Sequence, residues 1–330
     1  MAIISFDRAS LLSSFSFASC NSKFPANNVL STVKYGANAF HASAATITTN
    51  NNFDKNLFCT SYRRRGLMLT ATLPFVLPLY ETMEPFGVNA AELDASEYQL
   101  IKEEVKKVLS KGKAAGVLRL VFHDAGTFDV DENSGGMNGS IIYELERPEN
   151  AGLKKSLQIV EKAKNEVDLI QPASWADMIA VAGAEAVSVC GGPKIPVQIG
   201  RLDLTAPDPE GKLPQESLDA SGLKRCFQRK GLSTQELVAL SGAHTLGNKG
   251  FGNPTVFDNS YFQVLLEKPW MSSAGMASMI GLPTDHALVE DDECLRWITR
   301  YANNQNMFFE DFRNAYIKLI NSGARWNFLL

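Results

Sequence analysis

The chain has 330 residues, of which 45% are hydrophobic and 21% are charged, and its formal net charge at pH 7 is −4. This composition excludes a fibrous or disordered protein and allows a large buried core in one or two domains. The acidic balance argues against a protein that binds nucleic acid.

The first 65 residues have the composition of an organelle transit peptide. They contain seven Lys or Arg residues, two acidic residues and ten serines. Transit peptides are rich in arginine and serine and poor in acidic residues. We therefore predict that residues 1–65 are a chloroplast transit peptide.

Residues 66–90 have the pattern of a second targeting signal. An arginine triplet at residues 63–65 precedes a hydrophobic run at residues 67–79, and small residues end the segment at Ala90. The run is too short and too interrupted by proline for a good transmembrane span. This order predicts a twin-arginine signal for transfer into the thylakoid lumen. The alternative is a disordered N-terminus with one hydrophobic patch.

Cleavage near Ala90 would leave residues 91–330, a mature domain with 25 basic and 32 acidic residues. We expect it in the thylakoid lumen, soluble or peripherally associated with the membrane. Its three cysteines, Cys190, Cys226 and Cys294, lack the close spacing of a zinc site or a disulfide framework. One pair could oxidise in the lumen, and the sequence leaves open which.

Helical periodicity and capping residues predict a mainly α mature chain. Residues 94–97 have the pattern of a capping box, which would begin a helix that continues to Leu109. Further helices are predicted at residues 114–125, 151–167, 174–189, 233–244, 290–301 and 306–320. Residues 129–139 are predicted to form a loop, and residues 200–214 a long loop on the surface.

Two of these helices contain histidines at positions that indicate a possible functional site. Arg119 and His123 are four residues apart and therefore lie on one helix face. His244 ends an apolar helical run. An imidazole that can ligate a metal, facing an Arg–His pair across a cavity, is the arrangement that a haem peroxidase requires. A lone helical histidine is most often an ordinary core or surface residue, and we keep that interpretation for His286.

The chemistry of peroxide cleavage assigns candidate catalytic roles to Arg119, His123 and Asn150. A distal imidazole moves a proton from one peroxide oxygen to the other, while a guanidinium stabilises the developing charge. His123 and Arg119 fit these roles. Asn150 could accept the hydrogen bond that fixes the tautomer of His123; alternatively, it caps the helix predicted to begin at Ala151.

The motifs around these residues resemble those of ascorbate peroxidases, which are class I haem peroxidases. The similarity extends over nearly all of the mature chain in the family's order. The matching segments are residues 119–127, 135–141, 144–145, 150–153, 174–177, 191–193, 200–201, 236–247, 257–262 and 282–285. The resemblance implies a two-domain, mainly α haem peroxidase fold, with haem b between the halves and hydrogen peroxide as the substrate.

The resemblance also implies the ligands of two metal sites. By matching position, His244 is the proximal ligand of the haem iron, and Asp285 is the carboxylate that hydrogen-bonds its other ring nitrogen. Without the resemblance, Asp285 would be predicted as an exposed loop residue. Thr245, Asn253 and Asp258 match ligands of a monovalent cation site.

The segment after His244 departs from the family pattern. In ascorbate peroxidases, this loop contains partners for the haem propionates, an arginine that binds ascorbate and a tryptophan beside the proximal imidazole. Here the loop is reduced to residues 248–252, and the arginine has no counterpart. The match puts Gly250 at the tryptophan and Phe251 at a threonine ligand, which makes the cation site incomplete. Phe122 also replaces the family's distal tryptophan.

Two functions are compatible with this pattern. We expect a degenerate haem and ascorbate site with weak or no ascorbate peroxidase activity, and a binding role toward photosystem II or other thylakoid membrane proteins. The alternative is an active haem peroxidase that reduces hydrogen peroxide with ascorbate or another small reductant. The shortened loop favours the first, and the intact histidine motifs favour the second.

Overall fold

The computed structural model describes residues 90–268, residue 270 and residues 280–327. Both predicted targeting segments lie outside the described residues, except for Ala90. Among the described residues, no helix is long and apolar enough to cross a membrane. All of them belong to a single compact unit.

The described residues form ten α-helices. These are α1 (Ala90–Val108), α2 (Lys111–Ala125), α3 (Lys154–Asp168), α4 (Trp175–Val189), α5 (Ala220–Arg229), α6 (Thr234–Ser241), α7 (Ser260–Leu266), α8 (Pro283–Val289), α9 (Asp292–Asn303) and α10 (Gln305–Asn321). Isolated β-bridges join Asp129 to Ser134 and Arg201 to Trp326. The predicted mainly α fold class is therefore confirmed.

Side-chain caps begin α4 and α6 where the sequence predicted them. The Ser174 hydroxyl accepts a hydrogen bond of 3.0 Å from the backbone N–H of Asp177. Ser233 and Glu236 form a complete capping box. The capping box predicted at residues 94–97 does not begin a helix, because α1 already begins at Ala90. The Ala-Ala-Glu-Leu run before residue 94 consists of strong helix formers, which extend the helix upstream.

Three helices were not predicted from the sequence, namely α5, α7 and α8. Each is only seven to ten residues long. In helices this short the apolar positions are too few to establish a helical period, so the pattern resembles that of a loop. Asp285 lies on α8 and is 1% exposed, so the exposed loop residue that the local pattern alone would predict is not found.

The helices pack as two groups within the compact unit. Helices α1 to α4 contact one another, helices α5 to α10 form the second group, and α2 meets α10. A Cβ atom at Gly183 of α4 would lie 2.3 Å from both the Tyr316 hydroxyl and a methyl of Val121. A glycine at this position therefore allows α4 to approach α2 and α10 closely.

The segment 200–214 was predicted to form a long loop on the surface, but part of it is buried. Arg201 is 2% exposed and Asp208 is 3% exposed. The Arg201 guanidinium lies 2.8 Å from the Asp177 carboxylate and donates to the Ile320 carbonyl at 2.9 Å. These partners are distant in the chain, so the polar composition of the segment gave no sign of its burial.

Cys190, Cys226 and Cys294 are free thiols in the structure, and Cys190 and Cys294 are buried. Burial raises the pKa of the Cys294 thiol to about 12, and the Asp291 carboxylate adds to that effect. A thiol with so high a pKa is a poor nucleophile at neutral pH.

Candidate active site

A cavity of about 1180 Å³ lies between α2 and the elements that hold His244 and Asp285. Arg119 and His123 line it from α2. Its volume exceeds the range of about 300–1,000 Å³ that is typical of small-molecule sites. The structure therefore brings the two predicted histidine motifs to one cavity large enough for a macrocyclic cofactor.

Asn150 fixes the orientation and tautomer of His123. The Asn150 side-chain N–H donates to the Glu144 carbonyl at 2.9 Å, which turns the amide oxygen toward the imidazole. That oxygen lies 2.7 Å from His123 Nδ1. Nδ1 therefore has the proton, and Nε2 keeps its lone pair. The alternative role for Asn150, a helix cap, is wrong, since α3 begins at Lys154 and has no side-chain cap.

The Arg119 guanidinium is held by three hydrogen bonds. Its Nε donates to His123 Nε2 at 3.2 Å, and its two terminal nitrogens donate to the carbonyls of Ala151 at 2.9 Å and Glu149 at 2.7 Å. The residues on either side of Asn150 therefore position the cation beside the imidazole. All three guanidinium nitrogens have partners within the protein.

His123 is a neutral base at physiological pH. The pKa of its imidazole is lowered to about 4: burial is the largest cause and the positive charge of Arg119 adds to it, while the hydrogen bond to Asn150 opposes both effects. The neutral form therefore persists at every pH well above about 4. The lone pair on Nε2 of the neutral imidazole, to which Arg119 Nε donates here, can accept a proton from a bound ligand.

On the opposite side of the cavity, Asp285 gathers three donors. Helix α6 continues into a 3-10 turn, Gly242–Thr245, that places His244 Nδ1 2.8 Å from Asp285 Oδ1. The Tyr261 hydroxyl donates to the same oxygen at 2.9 Å, and the Leu282 backbone N–H donates to Oδ2 at 2.7 Å. The carboxylate is thereby fixed at the start of α8.

The second ring nitrogen of His244 has no hydrogen-bond partner among the described residues. The side chain keeps 38% of its accessible surface although it lies deep in the protein, because its open edge faces the cavity. Burial alone would lower the pKa of His244, but the Asp285 carboxylate raises it above its ordinary value. An imidazole backed by a carboxylate, with Nε2 free toward a cavity, is a residue that would hold haem iron.

The residues predicted for the cation site are only partly brought together. The Thr245 hydroxyl donates to Asp258 Oδ1 at 2.9 Å. The Asn253 side-chain oxygen instead accepts from the backbone N–H and the hydroxyl of Thr255, at 3.0 and 2.9 Å. Among the described residues, no group of three or more His, Cys, Asp or Glu side chains could hold a metal ion.

Phe251, rather than Gly250, occupies the space beside the proximal pair. Its ring is 1% exposed and packs edge-on against Tyr261, with the ring centroids 4.7 Å apart. A Cβ atom at Gly281 would lie 2.7 Å from this ring and 3.2 Å from Asp285 Oδ2. The sequence match, which assigned the tryptophan position to Gly250 and a threonine ligand position to Phe251, stays a prediction.

Tyr261 is a site residue to which sequence reasoning assigned no role. It lies within the matching segment 257–262, and that position was the only signal available. Its ring meets the His244 imidazole edge-on, with centroids 5.9 Å apart. The Tyr261 hydroxyl donates a hydrogen bond to Asp285 Oδ1. The Phe251 ring, which packs against Tyr261, has no polar atom that could do so.

Known proteins with similar sequences identify the family. A family model described as Peroxidase matches residues 99–253. The chain is 59% identical to the Putative L-ascorbate peroxidase 6 of Arabidopsis thaliana, over 98% of this chain and 96% of that protein. The chain belongs to the peroxidase family.

Two further relatives of this peroxidase come from a fungus and from rice. It is 38% identical to a Putative heme-binding peroxidase of Cryptococcus neoformans var. neoformans, over 71% of this chain and 80% of that protein. It is 36% identical to the Probable L-ascorbate peroxidase 7, chloroplastic, of Oryza sativa subsp. japonica, over 71% of this chain and 73% of that protein. The ascorbate peroxidase-like character and the haem peroxidase fold predicted from the motifs are confirmed. The roles of the individual residues stay predictions.

Proposed function

We propose that this peroxidase binds haem b between His123 and His244 and reduces hydrogen peroxide with a small reductant. One observation supports this most directly: both imidazoles line one cavity, and each is oriented through Nδ1, His123 by Asn150 and His244 by Asp285. A protein that had kept the fold but lost the chemistry would not require both of these orienting hydrogen bonds.

The side chains divide the chemistry between the two sides of the cavity. Haem, when bound, supplies the iron at which the O–O bond of the peroxide is cleaved. His244 Nε2 would hold the iron, and Asp285 keeps that imidazole oriented and electron-rich. His123 Nε2 takes the proton from one peroxide oxygen and returns it to the other, while Arg119 stabilises the negative charge that develops.

We also propose that the site is degenerate toward haem and ascorbate. The shortened segment 248–252 supports this, because Lys249 is its single basic residue and nothing replaces the arginine expected from the family. Each lost hydrogen bond to a charged propionate costs about 1–3 kcal/mol. Haem is therefore held more weakly than by a complete loop, and ascorbate is a poor reductant.

A titration with hemin tests haem binding. The purified chain should give a Soret band, His244→Ala should lose it, and His286→Ala should keep it as a matched control outside the cavity. The reason is that His244 alone presents a free ring nitrogen on the proximal side. Absence of a band in the unaltered chain would rule out the haem enzyme.

The second candidate is a binding role in the thylakoid lumen, near photosystem II. Its support is the same shortened segment, together with the two predicted targeting signals in residues 1–90; one relative is also named as chloroplastic. Fractionated chloroplasts should then contain a processed chain inside thylakoids that comigrates with photosystem II at low salt. Recovery from the stroma, or solely as a free monomer, would contradict this role.

A further inference from the structure

We infer that Glu216, with Glu149, makes the mouth of the cavity select cationic and uncharged aromatic reductants over anions such as ascorbate. The inference rests on the proposed function, because the cavity needs to admit a reductant only if it holds haem. It names the substrate class that the proposal above leaves open.

Glu216 is an exposed residue of the cavity lining. The segment 210–216, except for Lys212, lines the cavity and ends with this exposed carboxylate. Its charge acts both on the Arg119 guanidinium on the distal side and on the His244 imidazole on the proximal side. A ligand that enters between these residues passes within the field of Glu216.

The two carboxylates at the mouth form no close ion pair with any described residue. Among the described residues, neither the Glu216 carboxylate nor the Glu149 carboxylate has a hydrogen bond or an ion pair. Glu210, at the other end of the same segment, differs because its carboxylate lies 3.8 Å from Arg147. Two exposed carboxylates without a close partner in the described part of the chain therefore line the cavity, and an excess of one sign of charge in a cleft concentrates ions of the opposite sign.

The cavity lining contains fewer basic than acidic residues. Arg119 has all three of its nitrogens bonded to His123, Glu149 and Ala151. Lys249 is the other basic residue of the lining, and its charge acts on His244. It is the group available to a haem propionate. The lining has four acidic residues, Glu149, Glu210, Glu216 and Asp285, against these two basic ones, so an anionic reductant meets an excess of negative charge.

The apolar part of the lining indicates an aromatic donor. Leu213 and Pro214 belong to the same segment as Glu216, and Phe122 faces the cavity from α2. A ring that contacts these side chains with a cationic group toward Glu216 satisfies both features of the mouth. A catechol is such a donor: it gives two electrons and two protons to hydrogen peroxide, which yields an o-quinone and two molecules of water.

Three catechols that differ in charge provide the kinetic test. Dopamine is cationic, 4-methylcatechol is neutral and 3,4-dihydroxyphenylacetate is anionic at neutral pH. With the haem-loaded chain at low salt, kcat/KM should fall in that order. Glu216→Gln should lower the value for dopamine about fivefold and raise that for the anion about fivefold, with a smaller change for the neutral donor. Glu210→Gln, whose carboxylate is paired, should have the smaller effect on each.

A binding measurement separates this inference from the proposed function. Calorimetry with benzylamine, benzyl alcohol and phenylacetate, with and without hemin, should give the tightest binding for the amine, and Glu216→Gln should remove that preference. A missing Soret band would refute haem binding, and the charge order without hemin would still test Glu216. Any one of three results would overturn the inference. The first is a preference for the anions, and the second is an absence of binding together with rates that are independent of charge. The third is an unchanged order of affinities in Glu216→Gln.

Discussion

Single hydrogen bonds give the two cavity histidines opposite properties. Burial lowers the pKa of His123 to about 4, and its partner Asn150 is a neutral amide that compensates only in part. Burial acts on His244 in the same direction, but the Asp285 carboxylate outweighs it and raises the pKa. Identical side chains are therefore set up as a neutral base on one side and as a carboxylate-backed ligand on the other.

The rate of the reaction with hydrogen peroxide should follow the ionisation of His123. Because its pKa lies below the ordinary value of 6.5, the neutral base persists as the pH falls and is lost only near pH 4. Stopped-flow measurements on the haem-loaded chain should give a level rate down to about pH 5. His123→Leu should lower the rate about 10²–10⁴-fold and keep the Soret band. An inflection near 6.5 in the unaltered chain would contradict this assignment.

At the level of elements, the junction after α6 positions His244. Helix α6 ends at Ser241, and the following turn begins with Gly242, which is buried. A Cβ atom at Gly242 would lie 2.5 Å from the Phe308 ring and 2.9 Å from the Phe262 ring. These aromatic rings are fully buried and cannot withdraw easily. The absence of a side chain therefore allows the turn to pack against α7 and α10.

Gly242→Ala should destabilise the protein and loosen the proximal side. Overpacking a closed core costs about 1–3 kcal/mol, and any shift of the turn moves His244 away from Asp285. Urea unfolding should give a lower midpoint, and hemin should dissociate faster. Gly112→Ala is the matched control, since a Cβ atom there meets nothing within 4 Å. Equal stability of the two variants would contradict the packing argument.

At the level of the whole molecule, Arg201 joins the two groups of helices. Its guanidinium forms the ion pair with Asp177 of α4 and donates to Ile320 and Asn321 at the end of α10. The guanidinium carbon also lies 4.6 Å from the centroid of the Trp326 ring. Because these groups are buried, loss of the cation would leave a carboxylate and a carbonyl without their partner.

Arg201→Ala should lower the free energy of unfolding by about 3–5 kcal/mol, because it leaves the Asp177 carboxylate buried without its counter-charge. Arg225→Ala removes an exposed arginine that bonds only to Ser221, and it should change the stability by less than about 0.5 kcal/mol. Denaturant unfolding followed by circular dichroism measures both variants. A small effect at Arg201 would mean that the two helix groups do not depend on this link.

The sequence by itself determined the local features of this peroxidase. The four-residue spacing of Arg119 and His123 placed them on one helix face, and the caps at Ser174 and Ser233 were found where predicted. Such features depend on residues within one or two helical turns of each other, so the order of the residues is sufficient to specify them.

Only the tertiary structure decided which distant groups meet. Asn150 lies 27 residues from His123, and Asp285 lies 41 residues from His244. No local pattern predicts contacts of this kind; for Asp285, only the family resemblance indicated the partner. The burial of Arg201, the position of Phe251 and the unpaired carboxylate of Glu216 belong to the same class. Each follows from how helices pack and how far a loop reaches, and packing brings residues together irrespective of their separation in the chain.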